Sequence, residues 1–320
     1  MEGFVHAVLL DGQGGARNLD WNGVCQWEPA QGLLWVHLDY TVDASSAWLY
    51  AQDDVPGLVS DALLAQETRP RVTIMHEGLL LYLRGVNLNP GAEPEDMIAI
   101  RLWVTPGRVI STQRRQLRAV NSLLARADQG DAPATSYGLM VELIDDLTWN
   151  MEDVVDQVEE QVGEYEEAAM QRQSRSMLSE MSLVRRRVTV LRRFLAPQRE
   201  ALARLTDPSS PLSDRERGQL REVADRLQRL LEDLDAAREH ALIAQEDLNN
   251  RLADALNQRM YVLAIVSIIF LPLGFLTGLM GVNLGGMPGA ESEVGFLSFA
   301  VALLVIGMVM AVVLKRWRWL

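Results

Sequence analysis

The chain has 320 residues, a formal net charge of −13 at pH 7 and a single cysteine, Cys25. One cysteine excludes an internal disulfide framework and a thiolate zinc site within one chain. The negative charge argues against nucleic acid as a partner, because binding phosphates requires clustered cationic side chains. The same charge is compatible with cations as ligands.

Residues 1–130 are predicted to form a mixed α/β domain. Runs rich in apolar and β-branched residues, broken by Gly, Pro and Asn, are typical of strands. Short helices are expected near 43–51, with Asp43 as the cap, and near 56–66, with Pro56 in the first turn. The strand signals are GFVHAVLLDG, GLLWVHLDY, RVTIMHEGLLLYLRGVN and DMIAIRLWVTPGRVIST.

Residues 131–212 predict a charged helical hairpin, because apolar residues recur in steps of three and four along both of its arms. The first arm carries eleven Asp or Glu between Glu142 and Glu167 and no Lys or Arg, whereas the second is rich in arginine. We therefore expect the two arms to pair by charge. Their apolar seams are Met140, Ile144, Leu147, Met151, Val154 and Val158, and Met177, Met181, Val184, Val188, Leu191, Leu195, Leu202 and Leu205.

Residues 213–259 are predicted to form a stalk helix that continues into the following apolar run. Ser213 and Glu216 have the spacing of a capping box at its start. A further apolar seam indicates that 213–281 is one helix about 100 Å long. This seam consists of Leu220, Val223, Leu227, Leu230, Leu234, Ala237, Ala241, Ala244 and Leu248.

Two transmembrane helices are predicted at 260–281 and 294–314, because each contains a run of about 21 residues without charge, enough to cross a bilayer. A buried hairpin of a soluble core is the alternative. Lys and Arg flank the spans in the basic tail 315–320 and before the first span, whereas the loop 282–293 has none. Both termini and the α/β domain are therefore expected in the cytosol, and the N-terminus does not have the pattern of a cleavable signal.

A second face of the stalk, offset from its seam, is small or polar through the predicted span. Small residues let helices pack closely in lipid, but the cytosolic part of this face also carries amides, which packing does not require. The alternative is a water-filled pathway, which two helices per chain can line only if several copies surround it. This stripe consists of Glu246, Asn250, Ala253, Asn257, Met260, Ala264, Ser267, Leu271, Gly274 and Gly278.

Asn283 lies just beyond the first span, where a ring of copies would bring equivalent amides around one axis. Amide carbonyls accept hydrogen bonds from the water of a hydrated divalent ion without stripping it. Glu291 and Glu293 would concentrate cations at this mouth, unless they simply belong to a solvated loop. Glu246 is a weaker candidate for contact with the metal. Close backbone approach is possible at Gly281, Gly285, Gly286 and Gly289, and Pro288 stiffens the turn.

With these features the chain resembles the CorA family of divalent-cation transporters over its whole length. Gly281-Val282-Asn283 stands where the family has Gly-Met-Asn, and GVNLGGMPG, LLWVHLDY, ETRPR and RGVNLNPGAEPEDMIAIRLWV are closer to its zinc-transporter, ZntB-like branch. The resemblance implies a funnel-shaped homopentamer in the bacterial inner membrane, a pore lined by the first span and an entry ring at Asn283. It also implies inward Zn²⁺ movement helped by a proton gradient, with zinc as cargo and no resident cofactor.

Several alternatives stay open at this stage. Val282 and Gly289 depart from the magnesium members and put magnesium specificity in doubt, so a Mg²⁺, Co²⁺ or Ni²⁺ channel is the nearest rival. A cytosolic ion site on the acidic helix competes with charge pairing. No motif of an enzyme or of ATP-driven transport is present. A membrane-anchored coiled-coil scaffold without a pore is the rival of another class. His6, His37, His76 and His240 are possible zinc ligands, but structural roles are favoured because none has a ligand spacing.

Overall fold

The computed structural model describes residues 4–66, 69–171, 175–282 and 292–316. The chain divides into two compact units, Met1–Gln245 and Glu246–Leu320. In the described residues the strands are β1 (Phe4–Leu10), β2 (Ala16–Asn18), β3 (Leu33–Asp39), β4 (Arg71–Ile74), β5 (Leu79–Gly85), β6 (Ile98–Thr105) and β7 (Arg108–Gln113). The helices are α1 (Trp21–Cys25), α2 (Asp43–Tyr50), α3 (Gly57–Leu64), α4 (Arg118–Asp128), α5 (Ser136–Gln171), α6 (Arg175–Leu205), α7 (Asp214–Met280) and α8 (Gly295–Arg316).

The first unit is built on a seven-stranded sheet in the order β2-β1-β3-β7-β6-β5-β4, which confirms the α/β prediction. The central strands β3 and β7 run parallel, in register from Leu34 opposite Arg108 to Asp39 opposite Gln113. The other neighbouring pairs are antiparallel. Each of the last two strand signals forms a hairpin, because Gly78 and Gly107 introduce tight turns.

Both faces of the sheet are covered, because strand residues alternate between two hydrophobic clusters. On one face Leu34, Val36 and Trp103 pack with residues of α2 and α3. On the other face Trp35 and Leu102 pack with residues of α4, α5, α6 and the first part of α7. Burial on both faces explains why β3 and β5 are continuous apolar runs rather than alternating ones.

The short helices of this unit were predicted with small errors. Asp43 lies in the first turn of α2 rather than at its cap, which is Val42. Pro56 is the residue before α3, and its carbonyl accepts a hydrogen bond from the amide of Val59. Helices α1 and α4 were not predicted; α4 buries Ala119, Val120 and Leu123 against the sheet although its neighbours in sequence are polar.

The three long helices follow their seams closely. The residues of the apolar seams listed above for α5, α6 and α7 are buried. Gln198 lies within the α6 seam and is buried too, because its Oε1 accepts a 2.8 Å hydrogen bond from the amide of Arg84 in β5. A polar group in a core is tolerated when it has such a partner.

Among the ion pairs of the described residues, none given for α5 or α6 joins these two helices, so the expected charge pairing is not seen there. Acidic residues of α5 bind Arg126 of α4 and Arg226 of α7. In α6, Arg187 binds Glu93 and Glu95 of the β5–β6 loop, and Arg192 binds Asp235 of α7. Because the apolar seams occupy the sides where helices meet, charged side chains reach other neighbours at the flanks.

The predicted capping box starts α7, which is a single helix of 67 residues. The Ser213 amide donates to Glu216 Oε2 at 2.8 Å, and the Glu216 amide donates to Ser213 Oγ at 3.3 Å. Thr135 Oγ1 donates to the other oxygen of Glu216 at 2.7 Å. Burial raises the pKa of Glu216, but the hydrogen bonds from Thr135 and Ser213 outweigh it, so this pKa is lowered overall.

We expect Ser213→Ala to destabilise the protein by about 1 kcal/mol, because the first turn of α7 loses the acceptor of one amide. The measurement is the midpoint of unfolding of detergent-solubilised protein followed by circular dichroism. Thr189→Ala is the control, since this exposed hydroxyl donates only within α6, to the Arg185 carbonyl. Equal midpoints for the two variants would contradict the role of the capping box.

Candidate ion pathway

The second unit contains the end of α7 and the whole of α8. Among the described residues these are the two helices that are long and apolar enough to cross a membrane, and 6% of each apolar segment is buried inside the chain. A core hairpin of a soluble protein would be mostly buried. The exposure of both segments therefore favours membrane spans over the soluble alternative.

One side of the α7 span packs against α8. Ile265 is 8% exposed, and Ile269, Leu273 and Leu276 on the same side are half-buried. A side-chain carbon placed on Gly307 of α8 would lie 3.6 Å from Leu273 Cδ1. These contacts define the side of α7 that its own chain covers.

The predicted stripe lies on roughly the opposite side of α7, since successive residues are about 100° apart around a helix. All of its residues from Glu246 to Gly278 are exposed in the single chain, and Met260 and Leu271 reach 70% and 77%. The structure thus brings the stripe together on one open face. It does not cover that face with any other described segment of the second unit.

Within the predicted span of α7, the polar atoms that could face water are hydroxyls and a backbone carbonyl. The Ser267 hydroxyl donates to the Leu263 carbonyl at 2.8 Å, which leaves its oxygen able to accept from water. The Thr277 hydroxyl donates in the same way to the Gly274 carbonyl at 2.9 Å. Pro272 lies within α7 and has no amide hydrogen, so the helix cannot satisfy the Ile268 carbonyl in the usual way. Thr277 and this carbonyl were not predicted from the sequence, although a proline inside an apolar span signals such a carbonyl.

Gly274 and Gly278 have no neighbour that requires a glycine within one chain. A side-chain carbon added at either position would meet nothing within 4 Å. Glycine interrupts an otherwise apolar helix at a cost of about 1 kcal/mol relative to alanine. No described segment of this chain therefore accounts for a small residue at these two positions.

The predicted entry motif follows directly on α7. The Gly281 amide donates to the carbonyls of Thr277 and Gly278 and closes the helix. Gly281 and Val282 are exposed, and Glu293 is exposed just before α8. The other predicted residues of the mouth lie outside the described residues; they are Asn283, Gly285, Gly286, Pro288, Gly289 and Glu291.

The histidines have separate surroundings. His37 is 0% exposed in the sheet, and its Nδ1 lies 2.6 Å from the Ser111 hydroxyl, which also accepts from Trp35 Nε1. Burial lowers the pKa of His37 to about 4, so its ring is neutral near pH 7. His6 stacks beside His37 with ring centroids 6.5 Å apart. His76 lies on the β4–β5 turn.

The acidic helix does not provide a preformed metal site. No group of three or more His, Cys, Asp or Glu that could hold a metal occurs within the described ranges. His240 Nδ1 lies 3.0 Å from Glu166, and burial together with the charges of Asp233 and Asp156 raises the pKa of Glu159. Glu246, the candidate on the stripe, is exposed.

Comparison with known proteins adds a family to this geometry. Residues 30–316 match the family model described as CorA-like Mg2+ transporter protein. Proteins named zinc transport protein ZntB match over 99% of this chain and 96% of their own length. They are 37% identical in Pectobacterium atrosepticum and 34% identical in Yersinia enterocolitica.

Solved structures agree in fold. The full-length CmaX protein is 34% identical and superposes with a TM-score of 0.86 over 99% of this chain and 98% of its own. The CorA magnesium transporter from Methanocaldococcus jannaschii is 17% identical, with a TM-score of 0.84 over 99% of both chains, which supports the fold alone.

Because His37 is buried, we expect the stability of the protein to depend on pH. Burial is the main reason why the pKa of His37 falls to about 4. The unfolded chain, with a histidine pKa near 6.5, therefore binds the proton more readily, and stability is lost as the pH falls from 6.5 towards 4. His37 should account for about 2 kcal/mol between pH 7 and pH 5.

The measurement is the free energy of unfolding at both pH values, followed by tryptophan fluorescence of the full chain in detergent. His37→Gln should reduce the difference between the two pH values, whereas His76→Gln on the exposed turn should leave it unchanged. A pH difference in His37→Gln as large as that of the unmodified protein would contradict the assignment.

Proposed function

Because this chain belongs to the CorA family, we propose that it carries divalent cations across the bacterial inner membrane and that Zn²⁺ is its cargo. The observation that carries the choice of zinc is the match, over nearly the full length of both chains, to proteins named as zinc transporters. The apolar part of α7 and α8 form the membrane hairpin. The α/β unit, α5 and α6 belong to the cytosolic side, and both termini are cytoplasmic.

The pathway in this proposal runs along the open face of α7. A single chain cannot enclose it, and polar groups facing lipid would be unsatisfied. Several copies of α7 around one axis would place Ser267 against water instead of hydrocarbon, in line with Asn250 and Asn257 of the cytosolic stalk. We propose a homopentamer, the number implied by the family resemblance, in which α8 lies on the outer side of each α7.

The ion enters with its water. Amide oxygens of Asn283 from each copy, next to Gly281 and Val282, accept hydrogen bonds from the hydration shell, and Glu291 and Glu293 raise the local cation concentration. The hydroxyl oxygens and carbonyls along α7 continue this set of neutral acceptors. No carboxylate lies on the stripe between Asn250 and Gly278, so the ion passes without binding tightly. The zinc ion is cargo, and the proposal includes no resident cofactor.

The direction is proposed as inward, driven with the help of a proton gradient. Zinc uptake into liposomes with and without an imposed pH gradient tests the coupling, and parallel assays with Mg²⁺, Co²⁺, Ni²⁺ and Cd²⁺ test the ion. A scaffold without a pore, the rival from another class, predicts no flux of any of these ions. It also predicts dry packing of the face that contains Ser267 and Gly274.

We expect Asn283→Ala to reduce zinc flux in proteoliposomes to the leak rate of protein-free liposomes, because the entry ring loses its carbonyl oxygens. Asn283→Gln keeps an amide and should retain part of the flux. Size-exclusion chromatography must show that both variants keep the assembly of the unmodified protein. Normal flux through an intact Asn283→Ala assembly would refute the entry assignment.

The orientation of α7 is tested with adjacent cysteines in a Cys25→Ser background. Ser267 and Val266 are both exposed in one chain but lie about 100° apart around the helix. Ser267→Cys should react with a charged, membrane-impermeant thiol reagent and lose zinc flux as it does so. Val266→Cys should remain unreactive because it faces lipid. Equal reaction at both positions would contradict an axial stripe.

A further inference from the structure

The sheet of the first unit has a crevice at the carboxyl ends of its two parallel strands. β3 and β7 are neighbours, and the chain leaves them in opposite directions: α2 and α3 cover one face of the sheet, whereas α4 covers the other. In α/β sheets a ligand commonly binds where successive connections separate in this way. Tyr40 and Arg114 are the first residues after the two strands.

Three arginines converge on this edge. Arg84 of β5 and Arg114 and Arg115 after β7 line a cavity of about 160 Å³. Since a water molecule occupies about 30 Å³ of liquid, this space is large enough for one tetrahedral oxyanion. The other polar side chains of the cavity belong to Tyr40, Gln66 and Asp96.

A fourth arginine lies behind the cavity wall. Arg101 of β6 is 0% exposed, and its guanidinium lies over the Tyr40 ring, 4.3 Å from the centroid. Its Nη2 donates to the carbonyls of Ala65 and Gln66. Its Nε and Nη1 are buried, and neither has a hydrogen-bond partner in the part of the chain that the structure describes. Buried donors of a charged group are normally satisfied, and an ion or water is the usual explanation for an exception.

Positive charge is concentrated at this edge. Asp96 binds Arg115, and among the described residues no ion pair involves Arg101 or Arg114. Burial lowers the pKa of Arg84, and the charge of Arg101 lowers it further. Burial is also the main cause of the lowered pKa of Arg101. Guanidinium groups stay protonated in proteins, so this chain keeps like charges close together and partly dehydrated.

We propose that this cavity is an anion site for a phosphate group, bound by Arg84, Arg114 and Arg115 with Arg101 as the buried charge behind them. Arginine forks match phosphate oxygens in geometry, and a dianion would offset the repulsion between the guanidinium groups. The group is free phosphate or the terminal phosphate of a nucleotide. The site is separate from the ion pathway and does not depend on the proposed cargo.

The test is isothermal titration of the full-length, detergent-solubilised protein at constant ionic strength in a chloride buffer. Sodium phosphate should bind with one site per chain, and ATP in a parallel titration distinguishes a nucleotide from free phosphate. Arg114→Gln and Arg115→Gln should each weaken the binding at least tenfold. Both side chains are at least partly exposed, so these variants should fold, whereas removal of Arg101 would threaten the core.

Arg204→Gln is the matched control, because Arg204 is an exposed arginine at the end of α6 outside the cavity. It should bind phosphate as the unmodified protein does. Loss of binding in the control, or no effect of the two cavity variants, would overturn the assignment. A third result would also overturn it: the unmodified protein binds neither phosphate nor ATP, whereas Glu67→Gln binds them. The carboxylate of Glu67, the residue next to Gln66 in sequence, would then be the resident anion.

Discussion

Hydrocarbon cannot hydrogen-bond, and this one constraint decides how the membrane part of the chain is built. α7 satisfies nearly all its backbone groups internally, and its apolar side chains can face lipid. Ser267, the Ile268 carbonyl opposite Pro272, and Gly274 do not fit that solvent. Ser267 and Gly274 lie on the side of α7 that α8 leaves open. Lipid would leave these groups unsatisfied, whereas copies of α7 around water would not. The same constraint thus links a local pattern of residues to assembly and transport.

Sequence predicted the fold best where the information is local and repeated. The α7 start follows from Ser213 and Glu216 alone, and the seam from Leu220 to Leu248 repeats its signal nine times, so both predictions are confirmed. Hairpins within a long apolar run were missed because a turn needs only one glycine, such as Gly78, at the right register. The ion-pair partners of charged residues were predicted wrongly for another reason. A sequence shows which charges a helix carries, but the choice between Arg226 and the arginines of α6 depends on which elements flank α5.

The arrangement of the stripe was predictable in part. The stripe has a helical period, so its members were expected on one face, and all are exposed there. The role of this stripe was not predictable from one chain, because close packing of helices and a water-filled pathway both use small residues. The structure adds that a side-chain carbon placed on Gly274 or Gly278 would meet no described atom of the same chain within 4 Å. The arginines at the sheet edge gave no such signal: Arg84, Arg101 and Arg114 come from three separate strand segments, and only the order of the strands brings them together.

The distribution of charge explains why two ligands of opposite sign can belong to one acidic chain. The excess of carboxylates is spread along exposed helix flanks, where water screens each one at a short distance. Arg101 is buried in the sheet, where screening is weak and a single unpaired cation has a larger effect. The net charge of −13 therefore describes the long-range attraction of cations and not the local chemistry of a cavity. The net negative charge excludes an extended nucleic-acid surface, but it does not exclude one phosphate group held by a few arginines.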